Sequence, residues 1–344
     1  MPVRATRRSL LLSAPLAALA AATACGSQET GTTTGSAGTA AAAGAEGTFP
    51  VTVEHALGST TVEAAPERIV TWGWGSQDVL WALGLQPVGV PEITYGGEDG
   101  AYPWWEGHHD PSVTTSIGAS ETGEVPFEKV AELAPDLVLA VNSGLTEQDW
   151  TTLTRIAPTV AYPDQPWQTT WQDQARLIGR AVGKEQEAED LVAEAEADLT
   201  ERAAANPQLE GKSFAYVYAT SAGLSVYLPG DSRVDTLHGL GLVDAPGVTA
   251  LAESSGEFYV EVAKERVREL DSDVLVGYGD ISLEELRADP VYATMPAVAN
   301  GAVVWLTDPN LIAATSTTLL NLPWQMDRLV PQLADAATAA DAAA

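Results

Sequence analysis

The strongest constraint on the fold of this chain is a phrase that it contains twice. Residues 128–140 read EKVAELAPDLVLA, and 137 positions later residues 265–277 read ERVRELDSDVLVG. Glu, Val, Glu, Leu and Asp coincide in place, and Lys129 faces Arg266. In each copy, apolar residues at helical spacing give way to an Asp and then to an apolar run. That pattern predicts a short helix feeding a buried strand. Helix-then-strand is also common α/β grammar, so the order of the surrounding elements has to decide whether the chain is duplicated.

The order repeats too. VTVEHALGSTTVEAAPERIVTW alternates apolar and polar residues about a Gly-Ser turn, which predicts a hairpin followed by a strand over 68–72. Ser76 is placed to cap a short helix, DVLWAL, that stops at Gly84. VGV at 88–90 is the next strand, and after an aromatic loop (91–112) come the helix FEKVAEL and the buried strand DLVLAV. A further helix runs to Arg155, before the strand PTVAY. From Trp167 to Asn206 the chain reads as helical, and EQEAEDLVAEAEADLTERAAA contains neither Gly nor Pro. At 1.5 Å per residue that stretch spans about 30 Å, the length of a strut across a small domain. Then the grammar restarts. FAYVYA is a strand, a loop follows with Gly223 and Pro229-Gly230, and VDTLHGLGL ends its helix in Gly-Leu as VLWALGL did. ERVREL, DVLVGY, PAVANGAVVWL and a last helix from about Trp324 to Ala336 complete the chain. The alternation predicts an α/β fold of two similar parallel-sheet lobes, at 49–166 and 207–344, joined by one long α-helix within 167–206, with a ligand cleft between them.

Residues 1–24 read as a signal peptide. Arg4, Arg7 and Arg8 form a basic start, and LLLSAPLAALAAATA is an apolar run of leader length, too short for a comfortable transmembrane helix. TRRSLL resembles a twin-arginine signal, although an ordinary basic start serves equally well. Ala22-Thr23-Ala24-Cys25 resembles a bacterial lipobox, with Ala22 where the pattern prefers Leu; it implies a lipid on Cys25, the single cysteine of the chain. The alternative is an unmodified Cys in a discarded leader. Residues 25–48 are small and polar, a tether whose flexible coil spans roughly 25–30 Å. The expectation is an exported protein anchored to the outer face of the cell membrane. With 17 basic and 47 acidic residues the chain carries a formal charge of −30. That field excludes nucleic acid and anionic lipid surfaces as electrostatic partners.

Enzyme signatures are weak. Gly211-Lys212-Ser213 lacks the upstream glycine of a phosphate loop, Gly73 and Gly75 lack the third glycine of a dinucleotide fingerprint, and no G-x-S-x-G occurs. His108 and His109 are adjacent and so lack the spacing of a helical metal pair, which leaves loop polarity as the simpler reading. Neither a cofactor nor a directly bound metal is expected. Aromatics stand out instead. Ten tryptophans and nine tyrosines outnumber four phenylalanines, and many fall at strand ends or in the loop TYGGEDGAYPWWEG. In parallel sheets the carboxyl ends of strands are where ligands bind, and Trp and Tyr combine apolar area with a polar handle. Half of this set is expected in a site and the rest in the core.

PERIVTWGWGSQDVLWALGLQPVGV, FEKVAELAPDLVLA, LTRIAPTV, the long helix and YVEVAKERVRELDSDVLVG together resemble substrate-binding proteins of bacterial ABC importers. The group is the one that serves ferric siderophores, haem and vitamin B12. WGWG with the YGG loop is most similar to actinobacterial siderophore binders. The resemblance covers the chain after the tether. It implies two lobes around a ligand cleft, little hinge motion, and a monomer that delivers a ferric siderophore to an ABC permease. The expected ligand contacts are Trp72, Trp74, Tyr95, Trp104, Tyr227, Arg233, Tyr278 and Trp305. Arg233 could equally form a surface salt bridge. The few basic residues in the cleft segments favour a neutral or cationic ferric hydroxamate over an anionic catecholate. Haem or vitamin B12 on the same scaffold is the alternative, with Tyr95 or His109 as haem ligand; an exported hydrolase is a more distant one. The resemblance also implies that Glu128 and Glu265 meet permease arginines, where a first-turn glutamate could instead simply favour the helix dipole.

Overall fold

A computed structural model describes residues 47–98, 100–120 and 123–343. The leader, Cys25 and nearly all of the tether lie outside the described residues. A hairpin opens the body, β1 (Val51–His55) against β2 (Gly58–Val62). The first large sheet holds β3 (Ile69–Thr71), β4 (Gly89–Val90), β5 (Thr115–Ser116), β6 (Leu137–Ala140) and β7 (Thr159–Ala161). Its order is β5-β4-β3-β6-β7, parallel throughout. Three helices accompany it: α1 (Ser76–Ala82), α2 (Phe127–Glu132) and α3 (Glu147–Leu153). Gly75, in the left-handed region at φ 75°, occupies the position before α1, so Ser76 is the first helical residue and not the cap.

α4 (Trp171–Ala181) and α5 (Glu185–Ala205) follow, packed on each other. α5 coincides with the Gly- and Pro-free stretch, and it buries Ala188, Val192 and Leu199 along one stripe. The second sheet contains β8 (Ser213–Ala219), β9 (Gly223–Tyr227), β10 (Val243–Asp244), β11 (Tyr259–Ala263), β12 (Val274–Gly279) and β13 (Val303–Trp305). The path is β11-β9-β8-β12-β13, with β10 on β8 as well. β10, β8, β12 and β13 are parallel, and they match β4, β3, β6 and β7 of the first sheet in order. The remaining helices are α6 (Ser232–Gly239), α7 (Pro246–Ser255), α8 (Leu283–Ala288), α9 (Pro296–Ala299), α10 (Pro309–Ala314) and α11 (Leu322–Ala343).

The second sheet departs from the expected all-parallel form. The stretch read as a loop around Gly223 is β9, which returns antiparallel on β8 and recruits β11 on its far side. A Cβ on Gly223 would lie 2.4 Å from the Val262 carbonyl oxygen, so only glycine permits this approach. The second copy of the repeated helix also differs: Lys264–Glu269 is a 3-10 helix without a side-chain cap. Six uncapped residues between two strands close more readily with tight i→i+3 bonds than as a full α-turn.

The structure explains most of the repeated phrase. Asp136 accepts hydrogen bonds from the backbone N–H of Glu67 (2.8 Å) and Arg68 (2.9 Å), tying the start of β6 to that of β3. Asp273 does the same for β12 and β8, accepting from the Ser213 N–H and hydroxyl, both at 2.8 Å. Val130 and Val267 are buried beneath their sheets, as is Leu270. One apolar cluster joins the two lobes without a break. Ile69 and Leu139 of the first sheet, Ile178 of α4, Val192 and Leu199 of α5, Phe214 and Val276 of the second sheet and Met326 of α11 all belong to it. A shared, close-packed core of this kind resists wide hinge opening.

Candidate functional site

Both parallel frames reverse their strand order at one place, between β3 and β6 in the first sheet and between β8 and β12 in the second. Side chains beyond the carboxyl ends of those strands meet in a cavity of about 420 Å³ between the sheets. That is where open α/β sheets place ligands, and the volume lies within the ordinary range for small-molecule sites.

The first wall begins after β3. Trp72 has the strand parity of Val70 and is buried with it in a core cluster, so it does not line the cavity, contrary to expectation. Gly73, at φ 90°, then turns the chain where a Cβ would meet the Asn142 carbonyl oxygen at 2.3 Å. That turn brings Trp74 into the lining, its N–H donating to Asn142 O (2.8 Å) and its ring packed 4.6 Å from that of Trp167. Trp104 also lines the cavity, stacked on Tyr102 with centroids 4.4 Å apart and planes 11° apart. Asp78 of α1 holds this wall together. It accepts from Trp104 Nε1 (3.1 Å), Trp105 Nε1 (2.8 Å) and the Thr318 hydroxyl (2.7 Å). Burial pushes its carboxyl up to about 6, although the three donors oppose the shift. Tyr95 lines the mouth and is half exposed; burial, then the neighbouring Tyr278 and Asp308, raise its phenol pKa.

The opposite wall belongs to the second sheet. Tyr218, one residue before the end of β8, stands beside Tyr278 on β12, the two in register, and both line the cavity. Tyr218 donates to Asp280 at 2.5 Å, and that bond, with burial, pushes its hydroxyl up to about 12. Arg233 sits in the first turn of α6, with 11% of its side chain exposed and Nη1 donating to Asp231 Oδ2 at 2.6 Å. Its Nε is buried without a partner. Burial works against its charge, but Asp231 and the tyrosine hydroxyls outweigh burial and raise its pKa. Tyr227 lies one layer back. Its ring carries the guanidinium at 4.2 Å and its hydroxyl is 2.9 Å from that of Tyr278, so it supports the wall without lining the cavity. Trp305 ends β13 inside a core cluster with Tyr292, Met295 and Val298, and it too lies outside the lining.

Five of the eight expected contacts therefore line one cavity: Trp74, Tyr95, Trp104, Arg233 and Tyr278. Sequence reasoning missed Gln77, Asp78, Glu92, Tyr102 and Tyr218, which line it as well. The signal for Tyr218 was available, since it is the last tyrosine of a strand that faces Tyr278. Gln77 and Asp78 read as ordinary first-turn helix residues. His109 packs on Trp81 and Trp105 and is not in the lining. Among the described residues no group of three or more His, Cys, Asp or Glu is placed to hold a metal, and no helix is long and apolar enough to cross a membrane. Glu128 and Glu265 are exposed, and among the described residues neither has an ion-pair or hydrogen-bond partner. Arg266, beside Glu265, is neutralised by Glu269 at 2.6 Å.

Two α/β frames facing each other across an aromatic cavity define a ligand-capturing protein. The periplasmic binding protein family matches residues 69–309, and the chain belongs to that family, one of binding proteins and not of enzymes. Family members act outside the cytoplasm. The chain is 29% identical over 238 residues to "Probable siderophore-binding lipoprotein YfiY" of Bacillus subtilis (strain 168), covering 65% of this chain and 67% of that one. It is 30% identical, with a TM-score of 0.77, to Streptococcus pneumoniae TIGR4 PiaA in complex with ferrichrome, covering 84% of this chain and 99% of that one. A periplasmic solute binding protein from Mycobacterium smegmatis str. MC2 155 is 29% identical with a TM-score of 0.69, over 83% of this chain and 98% of that one.

Proposed function

We propose that this protein captures a ferric siderophore of the hydroxamate type in the cavity between its lobes and delivers it to an ABC permease. The observation that carries this reading is the lining itself. Arg233 is the one basic residue among the described residues that line the cavity, set against aromatic faces and the carboxylates Asp78 and Glu92. A multiply anionic catecholate complex would meet too little positive charge there, whereas a neutral or cationic hydroxamate complex needs less, and its oxygens would accept from the Tyr278 hydroxyl with Tyr227 donating to Tyr278. The likeness to a ferrichrome-bound protein and to a siderophore-binding lipoprotein supports the same choice. Ligand contacts are Trp74, Tyr95, Trp104, Arg233 and Tyr278, with Tyr227 in support.

Cys25 carries the lipid and residues 25–48 are the leash, so that a monomeric body, with lobes at 49–166 and 207–344 about the helical segment 167–206, stays at the outer face of the membrane. Glu128 and Glu265 dock the permease. Both glutamates stand in the first turn of their helices, where they favour the helix dipole, and both are exposed, which leaves their carboxylates open to an external partner. Titration of tryptophan emission with ferric hydroxamate, ferric catecholate, haem and cobalamin tests the ligand class. Saturable quenching by the hydroxamate alone is the expected result; tight binding of haem or cobalamin instead would replace this reading.

A further inference from the structure

Asp78 is 2% exposed, and its three donors come from two distant parts of the chain. Trp104 and Trp105 belong to the aromatic loop of the first lobe; Thr318 belongs to the turn between α10 and α11, 240 residues further on. Gly75 makes room for that turn, since a Cβ there would lie 2.5 Å from Thr318 Cγ2. The residue before Thr318 reaches the second lobe. The Thr317 hydroxyl is 2.8 Å from that of Thr236 on α6, the helix that carries Arg233. Asp78 therefore ties the walls to each other, and Trp104, Trp105 and Thr318 all line the cavity. A carboxylate buried without a counter-charge is costly to a fold, so its presence calls for a reason outside stability.

The three bonds respond unequally to a proton. An indole N–H can only donate, whereas a hydroxyl can donate or accept. Oδ1 accepts from Trp105 alone, while Oδ2 accepts from both Trp104 and Thr318. A proton finds an acceptor only on the Oδ2 side, where it points at Thr318 Oγ1 and reverses that bond. It also takes the anionic acceptor away from Trp104, and bonds to an ionised group are about twice as strong as neutral ones. Trp104 is the ring held between Tyr102 and Trp324 at the cavity wall.

We infer that Asp78 is a positioning residue worked by a proton: its carboxylate fixes Trp104 and Thr318 in the geometry that grips the ligand, and protonation loosens that grip. The inference rests on the ligand reading above and adds its regulation. Among the described residues no charged side chain bonds to Asp78. α4, packed on α1, buries Gln174 and no charged residue, and the turn 315–321 contains no titratable one. α11 meets Trp104 through Trp324, whose ring carries Arg328. From the aromatic loop, Glu92, Tyr95 and Tyr102 line the same cavity and His109 packs on Trp105; Tyr218, Arg233 and Tyr278 line the opposite wall. Burial lifts the Asp78 carboxyl to about 6 against its three donors. As pH falls through that value the empty fold gains stability, while the complex loses affinity. A purely structural carboxylate would not give these opposite signs.

Calorimetric titration with one ferric trihydroxamate, paired with urea unfolding at each pH, tests this. The native protein is expected to bind about fivefold more weakly at about pH 5 than at about pH 7.5. Asp78→Asn presents an amide that donates to Thr318 as the protonated acid does, and it should bind with the weaker affinity at both pH values, within about twofold. Thr318→Val removes the hydrogen bond that most lowers the Asp78 pKa, so the midpoint of the affinity profile should move to higher pH. His109→Gln should leave the profile in place. A flat native profile, or one that persists in Asp78→Asn, overturns the inference and leaves the ligand reading standing. A profile abolished by His109→Gln assigns the proton to His109 and overturns it too. Absence of hydroxamate binding at both pH values, with tight binding of haem or a ferric catecholate, overturns the ligand reading and this inference with it.

Discussion

Around the cleft the two lobes place different chemistry on the same frame. Each has a four-strand parallel core in the same order, and in each an Asp before the second central strand clamps the start of the first. The first lobe then extends its sheet with another parallel strand and uses its long loop to stack Tyr102, Trp104 and Trp105 around a lone carboxylate. The second adds the antiparallel strands β9 and β11, and β9 carries the tyrosine that supports a paired guanidinium. Asp78 is a buried charge and Arg233 a largely buried one, but only Arg233 has a counter-charge, Asp231. Duplication fixes where side chains can reach the cleft. It does not fix which side chains do so.

The largest expected effect sharpens the likeness between the lobes. The Glu128→Ala/Glu265→Ala double variant should bind ferric siderophore normally and lose uptake, each docking contact being worth ~2–5 kcal/mol. The single variants should fall between, and by similar amounts. Radioiron uptake by cells reads this, and normal uptake by the double variant would remove docking from the comparison.

The second effect separates the charged walls. Arg233→Leu should cost ligand affinity about 2–3 kcal/mol, the scale of hydrogen bonds to a charged group, and should also lower stability by leaving Asp231 buried and alone. Asp231→Asn/Arg233→Leu should recover most of the thermal stability and none of the affinity. Recovery of affinity would show that Arg233 serves only the fold.

The lone carboxylate should have its own pH signature. Asp78 is raised from 3.8 to about 6, so in the folded state it keeps its proton over a range where the unfolded chain has already lost it. Its contribution to stability is therefore fully present below about pH 4 and is lost as pH rises through about 6, to the extent of about 2–3 kcal/mol. Urea midpoints measured from pH 4 to 7 should fall with pH for the native protein through this group, and Asp78→Asn should flatten that slope. An unchanged slope in the variant would assign the pH dependence elsewhere.

Smaller effects come from the tryptophans. Trp74→Ala, at the cavity wall, should weaken binding by ~1–3 kcal/mol in fluorescence or calorimetric titration. Smallest of all, Trp305→Phe should leave affinity within about twofold and cost less than about 1.5 kcal/mol of stability, as a buried aromatic exchange does. A Trp305 variant that bound as poorly as the Trp74 variant would mean that the cavity extends to the end of β13.

Local rules made much of the frame readable. Period and punctuation located α5, β6, β8 and β12, because a Gly- and Pro-free helix and a continuous apolar strand each announce themselves within ten or twenty residues. β9 and β11 escaped because their pairing joins segments about 35 residues apart, and GLSVY has no local signal separating a strand from a loop. For the tryptophans, sequence showed that they end strands; only the turn at Gly73 decided that Trp72 faces the core while Trp74 faces the cavity. Gln77 and Asp78 show the same limit more sharply. Their roles depend on Trp104, Trp105 and Thr318 arriving from distant parts of the chain, and on a cavity that exists only once both sheets have folded. Residue type and periodicity determined what each segment could become. Which polar atoms found partners, and which were left without one, depended on tertiary distances that no stretch of sequence contains.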